Sequence, residues 1–163
     1  IRTVYFDIIE RANLPENYGL VNLTASGDST KPTLMTLPDN VNSVIWLKYD
    51  KHTSTDTALT MRPVDWKPLD LFLADMDYVD TTDTTNNGYF THTVNGSTFT
   101  VVYNKVVAPT YYTTFDDHTV LFDSYDNTVD TTLQSLKTQA YCKLAIPFTL
   151  ADTFVPNLDE PQF

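Results

Sequence analysis

One dipeptide constrains this chain more than anything else in it: Asn95-Gly96, set between the alternating runs Tyr89 to Val94 and Ser97 to Tyr103. A two-residue connection between strands needs positive φ at both central positions, which Asn and Gly adopt at little cost and β-branched residues do not. The pattern predicts an antiparallel hairpin, and much of the remaining chain follows the same period of two. Tyr18 to Thr24, Thr33 to Leu37 and Val41 to Tyr49 read as strands, the last two separated by the turn Pro38-Asp39-Asn40. Val44-Ile45-Trp46-Leu47 is apolar in both phases, which predicts a central strand covered on both faces. Thr110 to Phe115 and His118 to Asp123 form a second hairpin around Asp116-Asp117. Lys137 to Ile146 is a last strand, although Thr132 to Tyr141 also reads as helix.

Helical spacing appears at the ends and once in the middle. Ile1, Val4, Tyr5, Ile8, Ile9 and Ala12 recur at three and four, opposite Arg2, Asp7, Glu10 and Arg11, and Pro15 prevents continuation. No capping residue precedes Ile1, so this helix is expected to start upstream. Asp159-Glu160-Pro161 reads as the opening of a second helix that is cut off. Leu69, Phe72, Leu73 and Met76 follow Pro68 as a short helix. The expected fold is α+β: a mainly antiparallel β core, sandwich- or barrel-like, flanked by helices that are truncated at both ends. It forms one domain over 1–163, with a helix at 1–13, a β-rich core at 18–150 holding the short helix 68–77, and a lead-in at 151–163.

Charge narrows the function. Ten Lys and Arg stand against 21 Asp and Glu, a net of -11, and 18 of those acids are Asp, a residue of turns and caps rather than helix interiors. Such a surface repels phosphate, which disfavours tight nucleic-acid binding and leaves open only contact with DNA that does not bind it. The polar tract Thr81 to Gly88, with Asp80 and Asp83, is the exception to a packed chain and reads as a long solvated loop. Cys142 has no disulfide partner and reads as a small buried hydrophobe, and no apolar run is long enough for a membrane span. A soluble protein made in a reducing compartment is expected.

Chemistry-bearing patterns are weak. His118 with Asp116, Asp117, Asp123, Asp126 and Asp130 is the densest group of potential ligands, but its spacing lacks the template of a calcium loop, and turn acids account for it better. No nucleophile elbow, phosphate-cradling loop or zinc motif occurs, so no catalytic, cofactor-binding or metal residue is assigned. His52 and His92 read as surface histidines, and the sequons at Asn22 and Asn95 as chance in a Thr-rich chain. Trp46, Trp66, Tyr111 and Tyr112 could form a sugar platform, with core or subunit-interface packing the stronger reading.

Gly27-Asp28-Ser29-Thr30-Lys31-Pro32-Thr33, Ala108 to Asp117, Val120 to Asp126, Thr132 to Gln139 and Phe154 to Leu158, taken in order, resemble a family of podophage head-to-tail adaptor (connector) proteins. The chain departs from it at Lys31 and Leu34, where members often carry Arg and His, and in a longer hairpin at Asn95-Gly96. The resemblance implies a structural virion protein, assembled in the host cytoplasm, that is not an enzyme. It would form a homo-dodecameric ring between the portal protein and the tail nozzle, line the DNA exit channel, and offer its outer face to tail fibre proteins. An extracellular β-sandwich binding module, for carbohydrate or adhesion, is the alternative: it explains the hairpins, Thr content and sequons, but not the first helix or the single Cys.

Overall fold

The computed structural model describes residues 15–52, 60–116 and 118–145. The expected helix at 1–13, the lead-in at 151–163 and Asp117 lie outside the described residues. In chain order the elements are β1 (Tyr18–Val21), β2 (Thr24–Ala25), β3 (Leu34–Thr36), β4 (Val41–Asp50), β5 (Met61–Trp66), α1 (Leu69–Met76), β6 (Asn87–Val94), β7 (Ser97–Asn104), β8 (Tyr111–Thr114), β9 (Thr119–Phe122) and β10 (Thr138–Leu144). The α+β class with a mainly antiparallel β core is what the sequence led us to expect.

Eight strands form one sheet in the order β1-β10-β4-β5-β8-β9-β3-β2. Its two edge strands, β1 and β2, are consecutive in the chain and separated only by Asn22 and Leu23, a link that spans at most roughly 10 Å. The sheet therefore curls into a half-barrel wall, its two edges linked at one end. Hydroxyls, not a strand ladder, close the seam: the Leu23 amide donates to Thr138 Oγ1 at 2.8 Å and the Ala25 amide to Ser135 Oγ at 2.8 Å. All pairings are antiparallel except β5 with β8, and that parallel pair requires a crossover, which α1 and the hairpin β6–β7 supply.

The hairpin forms as predicted, with φ 50° at Asn95 and 79° at Gly96 and an unbroken register from Asn87↔Asn104 to Val94↔Ser97. It stands as its own two-stranded sheet. α1 begins after Pro68, carries Asp70 in its first turn, and buries Phe72 and Met76, one turn apart. It lies against β7 and β8.

Two expectations are corrected. The run Val44 to Leu47 is not covered on both faces. Trp46 pairs with Tyr141 and Val44 with Cys142, so Ile45 is the extra residue of a β-bulge and is 50% exposed. The strand buried on both faces is instead β9, where Val120, Leu121 and Phe122 are all solvent-free. Second, Thr132 to Tyr141 contains only a 3-10 turn at Ser135–Lys137 before β10 begins, because pairing with β4 and β1 outweighs the local helical pattern. β5 has no counterpart in the expected strands, since Val64 is its one buried residue and Pro63 interrupts the pattern.

Candidate functional site

The aspartates explain themselves first. In Asp28-Ser29-Thr30, Asp80-Thr81-Thr82 and Asp126-Asn127-Thr128, the Asp Oδ1 accepts both the amide and the hydroxyl of the Thr two residues on, at 2.8–2.9 Å and 2.6 Å. This repeated turn, in which the side chain mimics the backbone, accounts for the joint abundance of Asp and Thr. The Thr30 and Thr82 hydroxyls, followed by their amides, hold Asp28 and Asp80 below the usual carboxylate range. Asp83 accepts from Thr85 N and from Asn86 N and Nδ2, and Asn86 contributes most to lowering it. The tract around Asp80 and Asp83 is thus a chain of turns, pinned further by Lys105 Nζ on the Thr84 carbonyl at 2.8 Å.

The group around His118 is dispersed among separate tasks. Asp116 closes the β8–β9 turn by accepting from the amides of His118 and Thr119 and from the Thr119 hydroxyl. Burial works against the ionised form there, but those bonds outweigh it and keep Asp116 low. Asp123 ties the start of β8 to the end of β9, accepting from the amides of Thr110 at 3.0 Å and Tyr111 at 3.1 Å and from the Ser124 hydroxyl at 3.1 Å. Burial raises Asp123 above its ordinary range in spite of these bonds. Asp130 pairs with Lys137 at 2.5 Å, and that ammonium also reaches the His52 carbonyl at 3.2 Å. No cluster of three or more metal-ligating side chains forms among the described residues.

The histidines divide. His52 donates its amide to Asp50 Oδ1 at 2.9 Å. His92 is not a simple surface residue, because it packs edge-on to Phe99 and tilted against Phe115, each 5.7 Å away. Burial, with Lys31 nearby, lowers its pKa. Cys142 is fully buried and its thiol is pushed up to about 11, as a small core residue requires. Asn22 and Asn95 are both exposed.

Three concavities are notable. A cavity of about 260 Å³ is lined by Tyr49, Lys51, Tyr125, Asp126, Asp130 and Lys137, and desolvation raises the Tyr49 hydroxyl to about 12. One of about 220 Å³ lies beneath α1, with Phe72, Met76 and Val102 as apolar walls. Lys67 stands at its side, paired with Asp75 and 4.7 Å above the Tyr111 ring. A shallow groove of about 410 Å³ holds Trp66, 58% exposed, beside Ile45 and buried Tyr112.

The four aromatics considered as a sugar platform are not brought together. Trp66 and Tyr112 line the groove while Tyr111 lies under Lys67. Trp46 instead stacks on Tyr141, which stacks on Tyr18, at 5.8 Å each. These three residues come from β4, β10 and β1 and share one face, because Tyr141 pairs directly with both Trp46 and Leu20. The row was hidden in the sequence, since its members are 123 positions apart at the widest and only register unites them.

No helix among the described residues is long and apolar enough to cross a membrane. No protein-family model, curated protein or solved structure matches the chain.

Proposed function

We propose that the chain is a non-catalytic structural protein of a tailed-phage virion, an adaptor that forms a twelve-membered ring between the portal and the tail nozzle and surrounds the exiting DNA. The observation that supports this reading is where the family-like segments meet. Thr33 O accepts from Phe122 N at 3.1 Å, Pro32 O from Leu133 N at 3.0 Å, and Asp123 holds Thr110 and Tyr111. Residues distant in sequence thus knit into one body, as expected where a shared pattern preserves a scaffold rather than a catalytic site.

The acidic surface suits passing contact with DNA, for without cations on phosphate there is no counterion release to drive binding. Asp80 and Asp83 serve as turn acceptors, so a charge test at this loop uses Asp80→Asn with Asp83→Asn, which keeps the acceptor oxygens. Slower DNA ejection at low salt from such particles supports a channel-lining loop; unchanged ejection rejects that placement.

Native mass measurement and negative-stain imaging of the full chain with portal test the assignment. A twelvefold species is expected, and a stable monomer that binds portal singly would overturn it. The row Tyr18, Tyr141 and Trp46 favours a second reading, an extracellular carbohydrate-binding module, for which glycan binding by a monomer would be the evidence.

A further inference from the structure

We propose that this chain joins to a second copy of itself head to tail, through an aromatic, cationic face on β1, β10 and β4 that receives the acidic, apolar edge of α1 from its neighbour. The inference rests on the ring reading above and names the surfaces that would build the ring.

The receiving face consists of Tyr18, Leu20, Trp46 and Tyr141 with Lys48 and Lys143. Leu20 is 59% exposed at the centre of one side, and the stacked row runs beside it. Lys48 sits 4.7 Å above the Trp46 ring, and Lys143 pairs in register with Tyr18. Among the described residues neither lysine is in an ion pair, whereas Lys67 and Lys137 each hold a carboxylate. In a chain of net charge -11, two cations set together on an aromatic face favour an anionic partner, and the chain's own surface supplies one.

The complementary surface is the outer side of α1 and the turn after it. Leu71 is 52% exposed and Tyr78, seven residues further along and just past the helix end, is 90% exposed. Asp70, Asp77 and Asp80 flank them, all exposed. None of these three acids is in an ion pair among the described residues. A projecting tyrosine and leucine rimmed by carboxylates match an aromatic face rimmed by ammonium groups, in the arrangement of apolar centre and charged margin that stable contacts share. The two patches lie on different parts of the half-barrel wall: α1 is set against β8 and β7, while the receiving face is on β1, β10 and β4. One copy can therefore carry a neighbour on each side. Such a contact is heterologous, the kind that builds a ring when the rotation from copy to copy closes.

Sedimentation velocity on the full chain tests this with two charge variants, Lys48→Glu/Lys143→Glu and Asp70→Lys/Asp77→Lys, all on exposed or half-exposed sites. The parent should self-associate, more weakly as salt rises, and each variant alone should associate at least tenfold more weakly. Mixed in equal amounts, the two variants should recover association beyond the dimer, because one contact between them is the native one and at the other the two reversed faces again carry opposite charges. Unchanged association in both variants would overturn the contact while leaving the ring reading in place. A parent that stays monomeric both alone and with portal would overturn both. If the monomeric parent nonetheless shields Trp46 from acrylamide in a Trp66→Phe background, the face is covered by the chain itself and the proposal fails.

Discussion

Thr138→Val isolates the seam that holds the sheet in its half-barrel curl. The side chain is 2% exposed, and valine matches threonine in shape while removing the hydroxyl. That hydroxyl accepts the Leu23 amide at 2.8 Å and donates to the Ser135 carbonyl at 2.7 Å. Leu23 is 1% exposed, so water cannot replace the lost acceptor. An orphaned buried amide costs about 1–3 kcal/mol, and the Ser135 carbonyl, which keeps the Thr138 amide but loses its second donor, adds up to about 1 kcal/mol, for a total of about 2–4 kcal/mol. In a chain of this length that lowers Tm by about 5–15 °C. Urea unfolding should show the midpoint falling with the slope unchanged. Hydrogen exchange should show the Leu23 amide losing protection. Thr138→Ser is the control: it keeps both bonds, loses one methyl, and should cost only about 1 kcal/mol. If Thr138→Val is as stable as Thr138→Ser, or the Leu23 amide stays protected, the seam is held by packing and the hydroxyl account is wrong.

Three further outcomes are expected. Gly96→Ala should destabilise by about 1–2 kcal/mol in urea unfolding: φ there is 79°, and nothing lies near the added methyl, so the loss is purely backbone strain. Because burial raises Asp123 above its unfolded value, its contribution to stability is present at low pH and lost as pH rises through the folded pKa. Asp123→Asn, which keeps the acceptor and cannot ionise, should therefore gain on the parent as pH rises, and carboxyl NMR should place Asp123 above and Asp80 below the ordinary aspartate midpoint. Lys137→Met should cost about 1–2 kcal/mol by stranding Asp130, each partner being about one-fifth exposed, and Asp130→Asn added to it should recover part of that loss in the same unfolding assay.

What the sequence determined by itself was local. Asn95-Gly96 could only be a tight turn, Pro68 with apolar residues at three and four could only open a short helix, and Asp two before Thr wrote turns into the chain at Asp28, Asp80 and Asp126. In each case the decisive atoms lie within a few residues of one another, so the physics is complete within the segment. Tertiary structure alone decided the rest. Ile45 extends an apolar run only because β10 skips it, and Thr132 to Tyr141 became mostly turn and strand because two distant strands were waiting to pair with its end. Met61 to Trp66, nearly featureless as a strand, gained its place from neighbours on both sides. The curl of the sheet from β1 round to β2 and the aromatic face of Tyr18, Tyr141 and Trp46 both depend on register across the whole sheet, and register is settled by which faces can be buried together.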